Sequence, residues 1–258
     1  MAGVLLHLAM GDPDVLDPGR SAYSDSYRRA YALGLLLPDI AKQSLIRDAG
    51  DFERYFALCA PRDILSYEEY LLFRPENHFH ADRSNPTQQD TRDPDLRSFL
   101  AAGYVDLARP VWLGVLCHLM GDKAFYYRTY CVDDPRVMRD YAAEVGELKE
   151  WDGEKWRQSR TARLYYDDYN VLNQCLEDEY GVLRCVSAYL AAPLVRELLE
   201  RFHVRFSSAR AEPEYMNLQN IRKYVARSRL LIRAAAGGAV EDVLRFFDGD
   251  GRDALFAG

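Results

Sequence analysis

Apolar residues recur at three- and four-residue spacing along most of the 258-residue chain, the period of helices with one buried face. Residues 24–37, SDSYRRAYALGLLL, predict a helix that stops before Pro38, because proline disfavours the helical state of the residue before it. Shorter patterns predict helices at 51–60 and 64–73, divided by Pro61. Residues 74–93 form the longest polar stretch, rich in Asn, Asp, Pro and Ser, and predict a loop. A loop of that length inside a compact domain implies a task, such as lining a site. Asp93 and Pro94 predict a capped helix start, with the helix running to about Ala108. Pro110 to Tyr127 is apolar almost all round, which predicts a buried helix. Helical periodicity continues over 135–150, 154–179, 182–206 and 214–247, the last as one or two helices. With no βαβ alternation and no convincing central strand, the expectation is all-α: a single helical bundle-like domain over residues 1–258.

Composition sharpens this only in places. A hydrophobic content of 48% and this length are enough for one sizeable core. The formal charge of -7 lacks the cationic excess that phosphate backbones require, so no stable nucleic-acid partner is expected. Five cysteines stand far apart without a CxxC pair, which argues against a disulfide framework and a thiolate zinc knuckle. Residues 1–10 lack the basic region of a signal peptide, and no run approaches a membrane span, so the expected location is cytoplasmic.

The informative residues are polar groups in apolar company. His118 and Asp122, in GVLCHLMGD, stand four apart and so share one face of a helix that is otherwise apolar. A buried carboxylate is expensive unless a cation or several donors satisfy it. A metal ion bound by both residues meets that need; a metal-free His–Asp hydrogen bond gives the same spacing. Asp39 follows the apolar run LGLLLP, where a helix is expected to end beside the core, as a turn residue, a cap or a ligand. His7 interrupts the apolar run VLLHLAM. His78 and His80 flank Phe79, and in an extended segment both imidazoles face away from the phenyl ring. Taken together, His7, Asp39, His78 or His80, His118 and Asp122 are imidazoles and carboxylates, the ligand types suited to one or two ions of zinc, with iron or manganese as alternatives. Five such groups can hold two metals with one carboxylate bridging. Asp39 is also the candidate base for a metal-activated water.

In order and rough separation these segments resemble the zinc-dependent phospholipase C family, over residues 1–130. The shared pattern is the early helical histidine His7, then GLLLPD from Gly34 to Asp39, then His78-Phe79, then GVLCHLMGD from Gly114 to Asp122. The resemblance implies an all-helical fold with metals held between helices and hydrolysis of phosphate esters or phosphodiesters; the same ligand types also suit a helical di-metal enzyme of other chemistry, and the same scaffold a non-catalytic binding protein. Related helical nucleases share the arrangement. It implies that Asp39, His78, His118 and Asp122 serve one metal, and that His7 and Asp122 belong to a second, with Asp122 bridging. The implied partner is a small phosphorylated molecule or a phospholipid headgroup. The chain departs from the family in three places. No tryptophan follows Met1, Arg128 stands where a later histidine is expected, and no His-x-x-x-Glu pair occurs, His203 being the only histidine left.

Other motifs carry less. DGDGRD at 248–253 is part of a calcium-loop pattern without its final Glu and reads as a terminal turn. RKYVARSRLLIR at 222–233 is basic and amphipathic, and reads as a solvated face. Asp12, Asp14 and Asp17, just beyond His7, read equally as turn caps and as cleft-mouth residues.

Overall fold

The computed structural model describes residues 4–16, 23–79, 94–128, 149–151, 156–158, 160–214 and 216–248. The first part of the chain forms α1 (Val4–Met10), α2 (Pro13–Leu16), α3 (Asp25–Lys42), α4 (Ala49–Phe56), α5 (Tyr67–Phe73), α6 (Leu96–Ala101) and α7 (Pro110–Arg128). Helices Arg160–Tyr180, Val182–Tyr189, Ala192–Arg201, Leu218–Ala236 and Val240–Asp248 follow. The fold is all-α, and its helices pack around one continuous hydrophobic core. The only strands among the described residues are a minor ribbon, Lys149–Trp151 antiparallel to Trp156–Gln158, with Trp151 opposite Trp156. No helix among the described residues is long and apolar enough to cross a membrane.

The centre of the molecule is the pair α3 and α7. Every residue from Ala30 to Ala41 and from Pro110 to Asp122 is buried, as a helix apolar on all sides requires. α3 begins at Ser24, whose hydroxyl accepts from the Tyr27 amide, a standard cap. It does not stop before Pro38 but runs through it to Lys42. Proline inside a helix removes one hydrogen bond and costs about 3 kcal/mol. Burying Leu36, Leu37 and Ile40 contributes about 1.5–3 kcal/mol each, which outweighs that cost. Asp39 is therefore a helix-interior residue and not a helix-exit one.

Other boundaries differ from the periodic reading for local reasons. The α6 cap is Asp95, which accepts from the Ser98 amide, and the helix ends at Ala101. α4 starts at its Asp48 cap, and α5 starts in a capping box between Ser66 and Glu69. The stretch 182–206 divides at Leu190 and Ala191, before Pro193, and 214–247 divides at Gly237 and Gly238, where Gly238 has φ of 91°. The long helix expected from residue 154 begins at Arg160, because 156–158 lie in the ribbon. Of the helix expected at 135–150, residues 135–148 lie outside the described residues, while 149–150 are in the ribbon. The last turn motif lies outside the described residues beyond Asp248, which itself accepts from Arg97.

The basic stretch 222–233 is not simply a solvated face. Tyr224, Val225, Ser228 and Ile232 are buried, Arg229 donates to Ala9 O, and Arg233 donates to Val15 O. These two guanidiniums satisfy carbonyls at the ends of α1 and α2, where helices leave acceptors unpaired. They fix α1, which carries His7. Asp12 accepts from the Asp14 amide, and Asp14 pairs with Arg28, so both have local structural roles; Asp17 lies outside the described residues.

Candidate metal centre

Five of the six residues singled out by sequence meet in one place. α1 supplies His7, α3 supplies Asp39, α7 supplies His118 and Asp122, and the turn after α5 supplies His78. Two triads have ligand atoms within 4.8 Å of one another: His7, His118 and Asp122, and Asp39, His78 and His118. All five residues are at most 2% exposed. His80 lies outside the described residues.

His78 reaches the cluster by a route the alternation argument did not foresee. The segment is not extended: Asn77 is helical, and Phe79 has a positive φ of 45°. A left-handed phenylalanine is strained. Here Phe79 is locked by burial against Phe73 and Phe99, and its carbonyl accepts from the Asp95 amide at 2.6 Å. The turn sends the phenyl ring into the core and the adjacent imidazole into the cluster.

The imidazoles are oriented from behind. His118 Nδ1–H donates to Leu35 O at 2.7 Å, and His78 Nδ1–H donates to Asn77 Oδ1 at 3.0 Å. Both acceptors have only lone pairs to offer, so the histidines carry their Nδ1 protons and turn Nε2 inward. The two Nε2 atoms then face each other at 3.4 Å. Two lone pairs in that position require a proton or a metal cation between them. Sequence reasoning missed Leu35, which acts through its main chain and leaves no side-chain signal. It also missed Asn77, whose place beside His78 was visible.

The carboxylates complete the geometry. Asp122 Oδ2 lies 3.3 Å from His118 Nε2 and 3.5 Å from His78 Nε2, and Asp39 Oδ1 lies 3.5 Å from His78 Nε2. On its other side, Asp122 Oδ1 lies 3.4 Å from His7 Nε2. Charge-assisted hydrogen bonds are shorter, about 2.7–2.9 Å. Ligands placed tetrahedrally 2.0–2.1 Å from a zinc ion stand roughly 3.3–3.4 Å apart. The observed separations match the second pattern. Of the eight buried side-chain polar atoms without a hydrogen-bond partner among the described residues, five belong to His7, Asp39 and Asp122. Such atoms are costly in a dry interior and are the atoms a cation would satisfy.

Electrostatics run the same way. Burial pushes the His7 and His78 imidazoles down, that of His78 to about 4. Burial also favours neutral Asp39, but His78, His118 and His7 around it prevail and hold its carboxyl at about 2. Burial of Asp122 is likewise outweighed, chiefly by His118, and its carboxyl lies well below the usual range. At His118 burial is outweighed by Asp122 and Asp39, so its pKa is raised. The cluster thus keeps two carboxylates against one readily protonated imidazole, an excess of negative charge suited to a cation. Cys117, next to His118, belongs to neither triad, and burial pushes its thiol up to about 12.

Compared with models of known protein families, with curated proteins and with solved structures, the chain matches none. The site is therefore defined by its own geometry: a group of buried His and Asp side chains between helices, able to hold a metal ion. A metal-binding cluster of this kind supports a metal-dependent enzyme.

Proposed function

We propose that the protein is a metal-dependent hydrolase of a phosphate ester or phosphodiester, in the manner of the zinc-dependent phospholipase C family that its motifs resemble. Asp39, His78, His118 and Oδ2 of Asp122 would hold one ion, zinc in the first instance, with iron or manganese as alternatives. His7 and Oδ1 of Asp122 would supply two ligands to a second ion, making Asp122 the bridge. His118 has a single inward nitrogen, so it serves only one of the two. A bound dication supplies Lewis acidity, lowering the pKa of a water and neutralising charge on a phosphoryl oxygen. Asp39 Oδ2, buried and without a hydrogen-bond partner among the described residues, would be the oxygen placed to take up a proton. The substrate would be a small phosphorylated molecule or a phospholipid headgroup; the net charge of -7 disfavours nucleic acid.

The observation that carries the reading is the pair of Nε2 atoms facing each other at 3.4 Å, ringed by carboxylates at 3.3–3.5 Å. One observation favours a second reading. Five residues this deeply buried leave no exposed coordination position, and closed metal sites are structural where catalytic ones keep a position open. The test is to purify the protein without chelators, measure its metal, and assay phosphomonoesters and phosphodiesters alongside His118→Ala. Bound metal with hydrolysis, both lost in the variant, supports the hydrolase. Bound metal with no hydrolysis of any ester supports the structural centre.

A further inference from the structure

The helices that carry the cluster touch through backbone, and the contact is made by two glycines. We propose that Gly34 and Gly114 are positioning residues of the metal centre: their missing side chains let α3 and α7 approach closely enough for the Leu35 carbonyl to orient His118 and for Asp39 to share a site with it. This rests on the metal-binding reading above.

A Cβ on Gly34 would lie 2.0 Å from Val111 O, and one on Gly114 would lie 2.3 Å from Tyr31 O and 2.8 Å from Leu35 N. These neighbours are main-chain atoms of packed helices and cannot swing aside. Ordinary carbon contacts are about 3.5–4.0 Å, so a methyl group at either position would part the helices by roughly 1 Å or more. The link from Leu35 O to His118 Nδ1, 2.7 Å long, crosses this same contact. Gly114, His118 and Asp122 follow one another at intervals of four on α7, and Leu35 and Asp39 do so on α3. Parting the helices therefore lengthens the Leu35–His118 bond and draws Asp39 away from His118 and Asp122 together. Metal sites tolerate only about 0.2 Å in their ligand distances. Gly121 differs: the atoms its Cβ would meet, Met10 Cε at 2.8 Å and His7 Nδ1 at 3.0 Å, are ends of side chains.

The experiment titrates metal-free wild type, Gly34→Ala, Gly114→Ala and Val115→Ala with zinc against a chromogenic chelator. Visible spectra of the cobalt forms are recorded in parallel. Val115 is fully buried on α7, so its truncation loosens packing without spreading the helices. The expected result is a 10–100-fold loss of zinc affinity in each glycine variant, with an altered cobalt spectrum. Val115→Ala should melt earlier yet keep its affinity within about threefold. Wild-type affinity and spectrum in Gly114→Ala would overturn the proposal, as would an equal loss in Val115→Ala. A wild type that binds no zinc or cobalt would instead overturn the metal-binding reading beneath it. Should the glycine variants not fold, 15N NMR of histidine-labelled, zinc-loaded wild type decides. Ligation of His118 through Nε2 with a slowly exchanging Nδ1–H supports the proposal, and ligation through Nδ1 refutes it.

Discussion

Asp168 and the pair Asp39 and Asp122 are all buried carboxylates on long helices, yet their surroundings are opposite. Asp168 is ringed by donors. Arg210 Nη2 lies 2.9 Å from its Oδ1, the Glu214 amide 2.8 Å from the same atom, and the Met216 amide 3.2 Å from its Oδ2. This is how a fold satisfies a buried charge with its own atoms, and it pins the 210–216 segment to the Arg160–Tyr180 helix. Among the described residues, the charged partners of Asp39 and Asp122 are imidazole nitrogens at 3.3–3.5 Å, and both oxygens of Asp39 lack a hydrogen-bond partner. The first arrangement is complete as protein. The second leaves buried acceptors that a proton or a cation would satisfy, as a site able to hold a metal ion does.

The largest expected effect is on His118→Ala, which removes the shared imidazole of both triads. It should weaken zinc binding by more than the roughly 100-fold that an outer-shell partner costs, measured by competition titration. Next is Asp168→Ala, which leaves the Glu214 and Met216 amides unpaired. Denaturant melts should show a loss of roughly 3 kcal/mol with zinc affinity unchanged. Removing metal from the wild type should forfeit binding free energy specific to the folded state. With zinc at 1,000 times its dissociation constant, a chelator should lower stability by about 4 kcal/mol, and Tm by roughly 10 °C.

Smaller effects sharpen the contrast. Asp122→Asn keeps the shape of the side chain but deletes one of two like charges in a dry cleft. Because the surrounding imidazoles hold the Asp122 carboxyl well below its usual range, the metal-free variant should be less stable than metal-free wild type at neutral pH, by about 1 kcal/mol, and the zinc-loaded form should lose more because zinc affinity also falls. Equal destabilisation of both forms would make Asp122 a carboxylate of the Asp168 kind. The smallest effect concerns a half-exposed carboxylate, Glu69, held by both terminal nitrogens of Arg109 at 2.6–2.7 Å. The Arg109 hydrogen bond lowers the Glu69 pKa below its ordinary 4.5. A depressed carboxylate pKa contributes stability above the unfolded value and loses it as pH falls through the folded one. Arg109→Lys should therefore cost about 1 kcal/mol at pH 7, and the difference should shrink below about pH 4.5, as followed by denaturant melts across pH.

Much of the site was legible in the chain. His118 and Asp122 could be placed on one face of α7 because helical spacing is rigid, and an ionisable pair in so apolar a helix is conspicuous. At Asp39 the local rule misleads, since a proline that usually ends a helix is carried through by the burial of the residues around it. Spacing alone does not separate His78 from His80, and the left-handed turn at Phe79 that aims His78 depends on aromatic packing from α5 and α6, which no local pattern encodes. Asp168 passed unnoticed because its donors stand more than forty residues further on. Gly34 and Gly114 were visible as letters of a motif, but their purpose lies in a contact between two helices.

If His and Asp side chains, and no thiolate, hold a metal between α3, α7 and the turn after α5, the surroundings of the bound ion will show it. X-ray absorption at the zinc edge of the purified, zinc-loaded protein tests it most directly. The expected spectrum shows a shell of nitrogen and oxygen atoms at about 2.0–2.1 Å with the outer scattering of imidazole, lost in His118→Ala. A sulfur shell at about 2.3 Å, or a zinc signal unchanged in that variant, would contradict it.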